Sequence, residues 1–259
     1  MQTLTYEGIK KSADSTELIT DFLVVEAPLE ISINQSPFTV VMRTPGSDFE
    51  LIRGLLYVED IYRTTDELVM EVVSETPNGF TKIEVSIPEN QLGKGYLNKR
   101  SLLSVSSCGI CGKQQLEDFD SPKTKLTKQP ALHLDKLPEM FALMTANQKT
   151  FSLTGGSHAA TVFDANYQMM TLKEDIGRHN AVDKCVGALI RSQQLKNGAF
   201  LLVSGRVSYE IITKAFFAKI GTIVAVSACS SLAVDYAKEF GICLIGFSRE
   251  NKATIYSNP

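Results

Sequence analysis

Apolar and polar positions change their period twice along the chain. Leu29, Ile31 and Ile33 alternate with Glu30 and Ser32, the period of two that marks a strand with one buried face. Asn34-Gln35-Ser36-Pro37 interrupts the run as a turn, and Phe38, Val40 and Met42 resume it. Ser47-Asp48-Phe49-Glu50 has the S-x-x-E spacing of a capping box, in which hydroxyl and carboxylate each satisfy a free backbone donor at a helix start. Leu51, Ile52, Leu55 and Leu56 give that helix an apolar face. A second hairpin is predicted from Leu68–Val73 across Pro77-Asn78-Gly79 to Ile83, Val85 and Ile87. Residues 1–20 carry no comparable pattern and read as a polar leader. Residues 21–105 read as an α+β lobe of meandering antiparallel strands.

From about Asn90 to Gln129 the composition shifts to Gly, Ser, Lys and Asp, with one short apolar patch at Leu102–Val105. Residues 106–130 are assigned to a long loop, and loops of this length are uncommon unless they serve a function. Beyond it the pattern predicts a helix through Met140, Leu143 and Met144, then a loop and strand over Ser152–Asp164. Strands at Gln168–Leu172, Ala199–Ser204, Thr222–Ser227 and Ile242–Phe247 follow, with helices at Asn180–Arg191, Glu210–Lys219 and Leu232–Phe240 between them. The segments AFLLV, TIVAV and ICLIGF are apolar throughout, as buried parallel strands are. Residues 131–259 are therefore expected to form an α/β lobe, a three-layer sandwich.

Composition narrows the class. Of 259 residues, 44% are apolar and 21% charged, which excludes a disordered, collagen-like or coiled-coil chain. The net charge of −3 argues against general nucleic-acid binding and leaves room for a local basic pocket. No apolar stretch reaches the roughly 18 residues needed to cross a bilayer, and the amino terminus lacks a signal-peptide core. The expectation is a cytoplasmic protein that engages neither membrane nor nucleic acid. Five cysteines then read as reduced thiols rather than a disulfide framework.

Two of those thiols stand out. In Ser106-Ser107-Cys108-Gly109-Ile110-Cys111-Gly112-Lys113 a pair three positions apart can share a metal, close a small disulfide or pass a sulfur. Lys99, Arg100 and Lys113 would favour a thiolate. Half of a zinc knuckle is the competing reading, but no second C-x-x-C exists, and Cys185, Cys229 and Cys243 lie singly in apolar runs as core thiols do. Zinc-dependent deamination needs a glutamate two residues after a histidine ligand; Ala159 and Ala160 follow His158 instead.

Several junctions carry ligand-binding character. Thr154-Gly155-Gly156-Ser157-His158 can present backbone amides to an anion, or simply be a tight turn. Residues 174–184, EDIGRHNAVDK, cluster Asp175, Arg178 and His179 at a strand end and helix start, where α/β sheets gather ligands or ion-paired caps. Ser204-Gly205-Arg206 and Phe247-Ser248-Arg249-Glu250-Asn251-Lys252 follow later strands. Together the junctions predict an anion-suited pocket along one sheet edge, with Arg178, Arg206, Arg249 and Lys252 converging on it. Sulfur transfer is favoured, with a thiol-disulfide oxidoreductase and a zinc-bearing chaperone as alternatives.

These motifs, with MRTPG at 42–46, SGRVSYE at 204–210 and GFSRENKATIY at 246–256, resemble the FdhD/NarQ family of formate dehydrogenase accessory sulfurtransferases over residues 20–257. The resemblance implies a carboxyl-terminal fold like that of cytidine deaminases, without their zinc. It further implies a persulfide cysteine at Cys108 assisted by Cys111, and a cofactor-binding segment at Phe247–Lys252. The donor would be a cysteine desulfurase. The acceptor would be bis(molybdopterin guanine dinucleotide)-molybdenum, sulfurated before insertion into formate dehydrogenase, whose activity requires it. Gly155, Gly156, His158, Asp175, Arg178, His179 and Arg206 are expected to line the cofactor site, which a guanine nucleotide would also fit. A homodimer is expected.

Overall fold

In the computed structural model the described residues are 1–97, 125–127, 130–249 and 252–259. Two sheets and a free ribbon organise them. The ribbon pairs β1 (Thr3–Lys11) with β2 (Thr16–Val24) in antiparallel register, so residues 1–20 are no irregular leader. Leu4, Tyr6, Ile9, Leu18, Phe22 and Leu23 remain exposed on it. With no face fully buried, the ribbon imposes little of the burial alternation that makes a strand legible in sequence. Gln2 anchors its base, its Nε2 donating to the Pro45 carbonyl at 3.2 Å and its Oε1 accepting from Thr150 Oγ1 at 3.0 Å.

The amino-terminal lobe holds β3 (Ala27–Ile33), β4 (Ser36–Arg43), α1 (Asp48–Val58), β5 (Val69–Glu75), β6 (Thr81–Ser86) and the short α2 (Lys94–Leu97). Both hairpins form where predicted, and Asn34 and Gln35 take the positive φ values of 50° and 64° that a tight hairpin turn demands. The sheet order β4-β3-β6-β5 makes β3 and β6 parallel neighbours, so the sheet is mixed rather than a purely antiparallel meander. Leu29, Ile31, Ile33, Ile83 and Val85 close a core against Leu51, Ile52 and Leu56 of α1. The predicted capping box does not form. Ser47 sits at φ 56° with no side-chain cap, and its Oγ instead accepts from Lys173 Nζ at 2.8 Å, while Glu50 lies 3.4 Å from the same ammonium. A charged partner across the lobe boundary outcompetes the local cap.

The carboxyl-terminal lobe holds α3 (Leu137–Asn147), α4 (Lys149–Thr154), β7 (His158–Phe163), β8 (Met169–Asp175), α5 (Arg178–Arg191), β9 (Phe200–Val203), α6 (Tyr209–Phe217), β10 (Thr222–Ala225), α7 (Ser231–Phe240), β11 (Cys243–Arg249) and β12 (Lys252–Ser257). Its sheet runs β12-β11-β10-β9-β7-β8, with β9, β10 and β11 parallel and the rest antiparallel. Leu201, Val203, Ile223 and Leu244 pack toward α5, α6 and α7, whereas Phe200, Leu202, Val224 and Ile245 pack toward α3. The α/β three-layer arrangement is thereby met, and burial on both faces is why these strands are apolar throughout. Helix α4 stands where a loop was expected, and β12 extends the sheet beyond the last strand predicted.

The lobes meet where α1 crosses α5. A Cβ on Gly54 would stand 1.9 Å from the Asp183 carbonyl oxygen, and one on Gly187 would stand 1.8 Å from that of Glu50. Only glycines permit this approach of backbone to backbone.

Candidate functional site

Strand directions bring most of the predicted site segments to one edge of the large sheet. The carboxyl ends of β9, β10 and β11 point there; β7 begins and β8 ends there, with His158 opposite Asp175. The end of β11 and the start of β12 lie at this edge too, Arg249 pairing with Lys252 through the backbone. Ligands gather at such edges because unpaired backbone groups and helix starts face outward together.

A cleft of 1430 Å³ runs along it. One wall is apolar, from Leu137, Phe141 and Met144 of α3 and Phe151 of α4; the other is polar, from Gly155, Gly156, Ser157, His158, Ser204 and Lys252, with Ser248 beside it. Gly155 takes φ 63° to end α4, and a Cβ on Gly156 would lie 2.9 Å from Val24 Cγ1, so the turn requires both glycines. Glu174, not singled out from sequence, fixes this wall. Its carboxylate accepts from the Thr150 and Phe151 amides at 2.8 and 2.7 Å and from Ser157 Oγ at 2.7 Å. The available signal was its place beside Asp175 on alternating faces of β8.

Asp175 has another role than the one expected. It is wholly buried; Oδ1 accepts from Gly177 N and Asn180 Nδ2, and Oδ2 from Thr44 N and Lys184 Nζ at 2.6 Å. Lys184 also donates to the Thr44 carbonyl at 2.8 Å. With its acceptor positions filled, Asp175 latches the MRTPG turn to the start of α5 rather than meeting a ligand. His179 is likewise buried, its Nε2 3.1 Å from both Ser208 Oγ and Glu210 Oε2, so it lies behind the cleft wall.

His158 faces the cleft. Burial first, then the Arg178 and Arg206 guanidiniums, push it below the usual histidine range, leaving a neutral imidazole at neutral pH between two cations. Phe247 is half exposed at φ 51°, and it does not line the cleft. Cys108, Cys111, Lys99, Arg100, Lys113, Glu250 and Asn251 lie outside the described residues. Of the other thiols, burial pushes Cys185 up to about 12 and Cys229 up to about 11, and Cys243 upward. All three are poor nucleophiles at neutral pH. No group of three or more His, Cys, Asp or Glu among the described residues is arranged to hold a metal, and no helix among them is long and apolar enough to cross a membrane.

Residues 24–259 match the FdhD/NarQ family. The chain is 40% identical over 247 residues to a protein of Mycolicibacterium paratuberculosis named sulfur carrier protein FdhD, covering 91% of this chain and 89% of that one. It is 37% identical over 240 residues to a protein of the same name from Sulfolobus acidocaldarius, covering 92% and 90%. A crystal structure of a protein from Desulfotalea psychrophila, described as a formate dehydrogenase accessory protein, superposes with a TM-score of 0.75 at 19% identity, over 100% of this chain and 98% of that one.

Proposed function

The chain belongs to the FdhD/NarQ family, and on that premise we propose that it is a sulfur carrier that takes persulfide sulfur onto Cys108 and delivers it to the molybdenum cofactor of a formate dehydrogenase. The names of its relatives support the carrier role and the client. The observation that carries the substrate is the two-faced cleft, whose apolar α3 wall suits flat ring systems and whose Gly155–His158 wall suits phosphates. Bis(molybdopterin guanine dinucleotide) has both kinds of surface. Gly155, Gly156 and His158 would hold its phosphates, with Arg178 and Arg206 supplying positive charge, and Ser248 and Lys252 would close the far side. A guanine nucleotide would occupy part of the same cleft.

The chemistry needs little beyond two thiols. The Cys108 thiolate attacks the sulfane sulfur of a persulfide on a cysteine desulfurase; one S–S bond forms, one breaks, and the donor cysteine leaves as thiolate. Cys111 then attacks the inner sulfur of the Cys108 persulfide, giving a disulfide and releasing hydrosulfide to the substrate. A dithiol reductant restores the pair. Arg178 and Arg206 would favour an anionic sulfur arriving at the cleft. We read the protein as a cytoplasmic homodimer, a state favoured by the apolar residues left exposed along the β1–β2 ribbon.

Incubation with a cysteine desulfurase and cysteine, followed by intact-mass and peptide mapping, tests the reading. One added sulfur atom on Cys108, absent in Cys108→Ala together with the ability to activate formate dehydrogenase, is the expected result. Full activation by Cys108→Ala would sink it. Light scattering on the purified protein tests the dimer.

A further inference from the structure

At the opposite end of α5 from the cleft lies a small pocket that sulfur transfer does not employ. Arg178 opens that helix and Arg191 ends it, so about 20 Å of helix axis separates the two. The pocket holds 210 Å³, close to the share of about seven water molecules in the liquid, and both lobes build it. Its floor is Arg53 of α1, Leu68 of the loop before β5 and Ile190 of α5, all buried. Its rim carries Arg191, Asp66 and Glu67, all exposed. Among the described residues Arg43 and Arg53 are the buried arginines. Arg43 has what a buried guanidinium ordinarily requires, a carboxylate: Asp48 accepts from its Nε at 3.1 Å and from its Nη2 at 2.7 Å. Arg53 pairs with no carboxylate of the described residues. It donates to the Tyr62 and Thr64 carbonyls and lies 5.0 Å from the Tyr62 ring centroid and 6.0 Å from that of Tyr57. Those contacts hold the guanidinium in place without neutralising it.

Charges of both signs line the pocket, yet no ion pair spans it: among the described residues Asp66, Glu67 and Arg191 form none within 4.0 Å. Arg191 is instead held over the Phe49 ring, 5.6 Å from its centroid. We propose that this pocket binds a free α-amino acid with an aliphatic side chain, its carboxylate taken by Arg53 and Arg191, its ammonium by Asp66 and Glu67, and its side chain by Leu68 and Ile190. The planar fork of an arginine matches a carboxylate through two parallel hydrogen bonds. Inorganic phosphate would gain the same arginines but face two carboxylates, whereas a zwitterion meets each charge with its opposite. Leu68 and Ile190 give the floor an apolar surface for methyl and methylene groups. Because the walls come from α1, the loop before β5 and the end of α5, the ligand would bridge the two lobes and stabilise their junction by mass action.

Isothermal titration calorimetry of the full chain with L-leucine tests the inference. The comparison ligands are 4-methylpentanoate, which lacks the ammonium, 3-methylbutylamine, which lacks the carboxylate, and inorganic phosphate. One equivalent of L-leucine is expected to bind at least about tenfold tighter than any of them and to raise the thermal midpoint. Arg191→Gln should weaken L-leucine by about tenfold or more. Asp66→Asn combined with Glu67→Gln should weaken it similarly while tightening 4-methylpentanoate, a reversal that a general disturbance of the fold would not produce. The substituted side chains are exposed and Arg53 stays intact, so both variants are expected to fold. Absence of L-leucine binding overturns the inference. So does phosphate or 4-methylpentanoate binding as tightly as L-leucine in the wild type, and so does L-leucine affinity unchanged in either variant. None of these outcomes touches the reading of the cleft. Should one variant fail to fold, the other decides together with the wild-type comparison.

Discussion

Asp175 and Glu174 are adjacent in the chain and do opposite work, one buried beneath the lobe boundary and one clamping α4 to the cleft wall. Their polar string was visible in sequence, but which face of β8 each occupied was not, since the alternation of β8 is blurred by residues that are all partly buried before Asp175. Replacing Asp175 by Asn would leave the Lys184 ammonium buried without its carboxylate. A loss of about 3–5 kcal/mol in urea unfolding is expected; a loss below about 1 kcal/mol would contradict the latch. Cys185, buried and donating to the Ala160 carbonyl at 3.1 Å, should resist maleimide labelling in the folded protein at neutral pH, as peptide mapping would show. Glu210 escaped notice because an acid in the first turn of a helix is ordinary dipole chemistry. Burial raises it from 4.5 to about 7, so between those values the folded state holds more proton than the unfolded state and stability falls as pH rises. Glu210→Gln should therefore gain stability over wild type above about pH 5, by an amount that grows with pH toward about 3 kcal/mol near pH 8 in paired denaturant curves.

At the scale of elements, hairpins were legible because their turn residues announce themselves, and the buried strands because both faces are apolar. The β3–β6 pairing was not, because parallel neighbours forty or more positions apart leave no local mark on the chain. The capping box failed for a related reason: its hydroxyl and carboxylate satisfied the local rule, yet Lys173 recruits both from the other lobe. The α1–α5 crossing hinges on Gly54 and Gly187, and the obstructing atoms are backbone on either side. Gly187→Ala should cost about 3 kcal/mol or more, at or beyond the upper end for overpacking, because no side chain can swing aside. Thermal denaturation would read this directly, and an unchanged midpoint would refute the close contact.

The molecule has one hydrophobic core in the amino-terminal lobe and one on each face of the carboxyl-terminal sheet, and cores in separate lobes would ordinarily allow independent unfolding. Three connections argue otherwise: the glycine crossing, the Asp175–Lys184–Thr44 latch, and Lys173 bridging Ser47 and Glu50. Urea unfolding followed by tyrosines of the amino-terminal lobe and by far-ultraviolet circular dichroism should give coincident transitions; separated midpoints would show that the lobes are uncoupled. The α/β class and the sheet edge were readable because alternation of strand and helix dictates where loops emerge. The apolar wall of the cleft was not, because Leu137, Phe141 and Met144 look like any amphipathic helix until the opposite wall is known.

The glycine crossing also bears on how such a chain can change over generations. Every amino-acid replacement that a single base change can make at a glycine codon adds at least a Cβ, and at Gly54 or Gly187 that atom has nowhere to go. The angle between the lobes thus has no neighbouring sequences through which to drift. Novelty in what the cleft accepts must arise in the connections around its rim, while the frame that carries them is inherited unaltered.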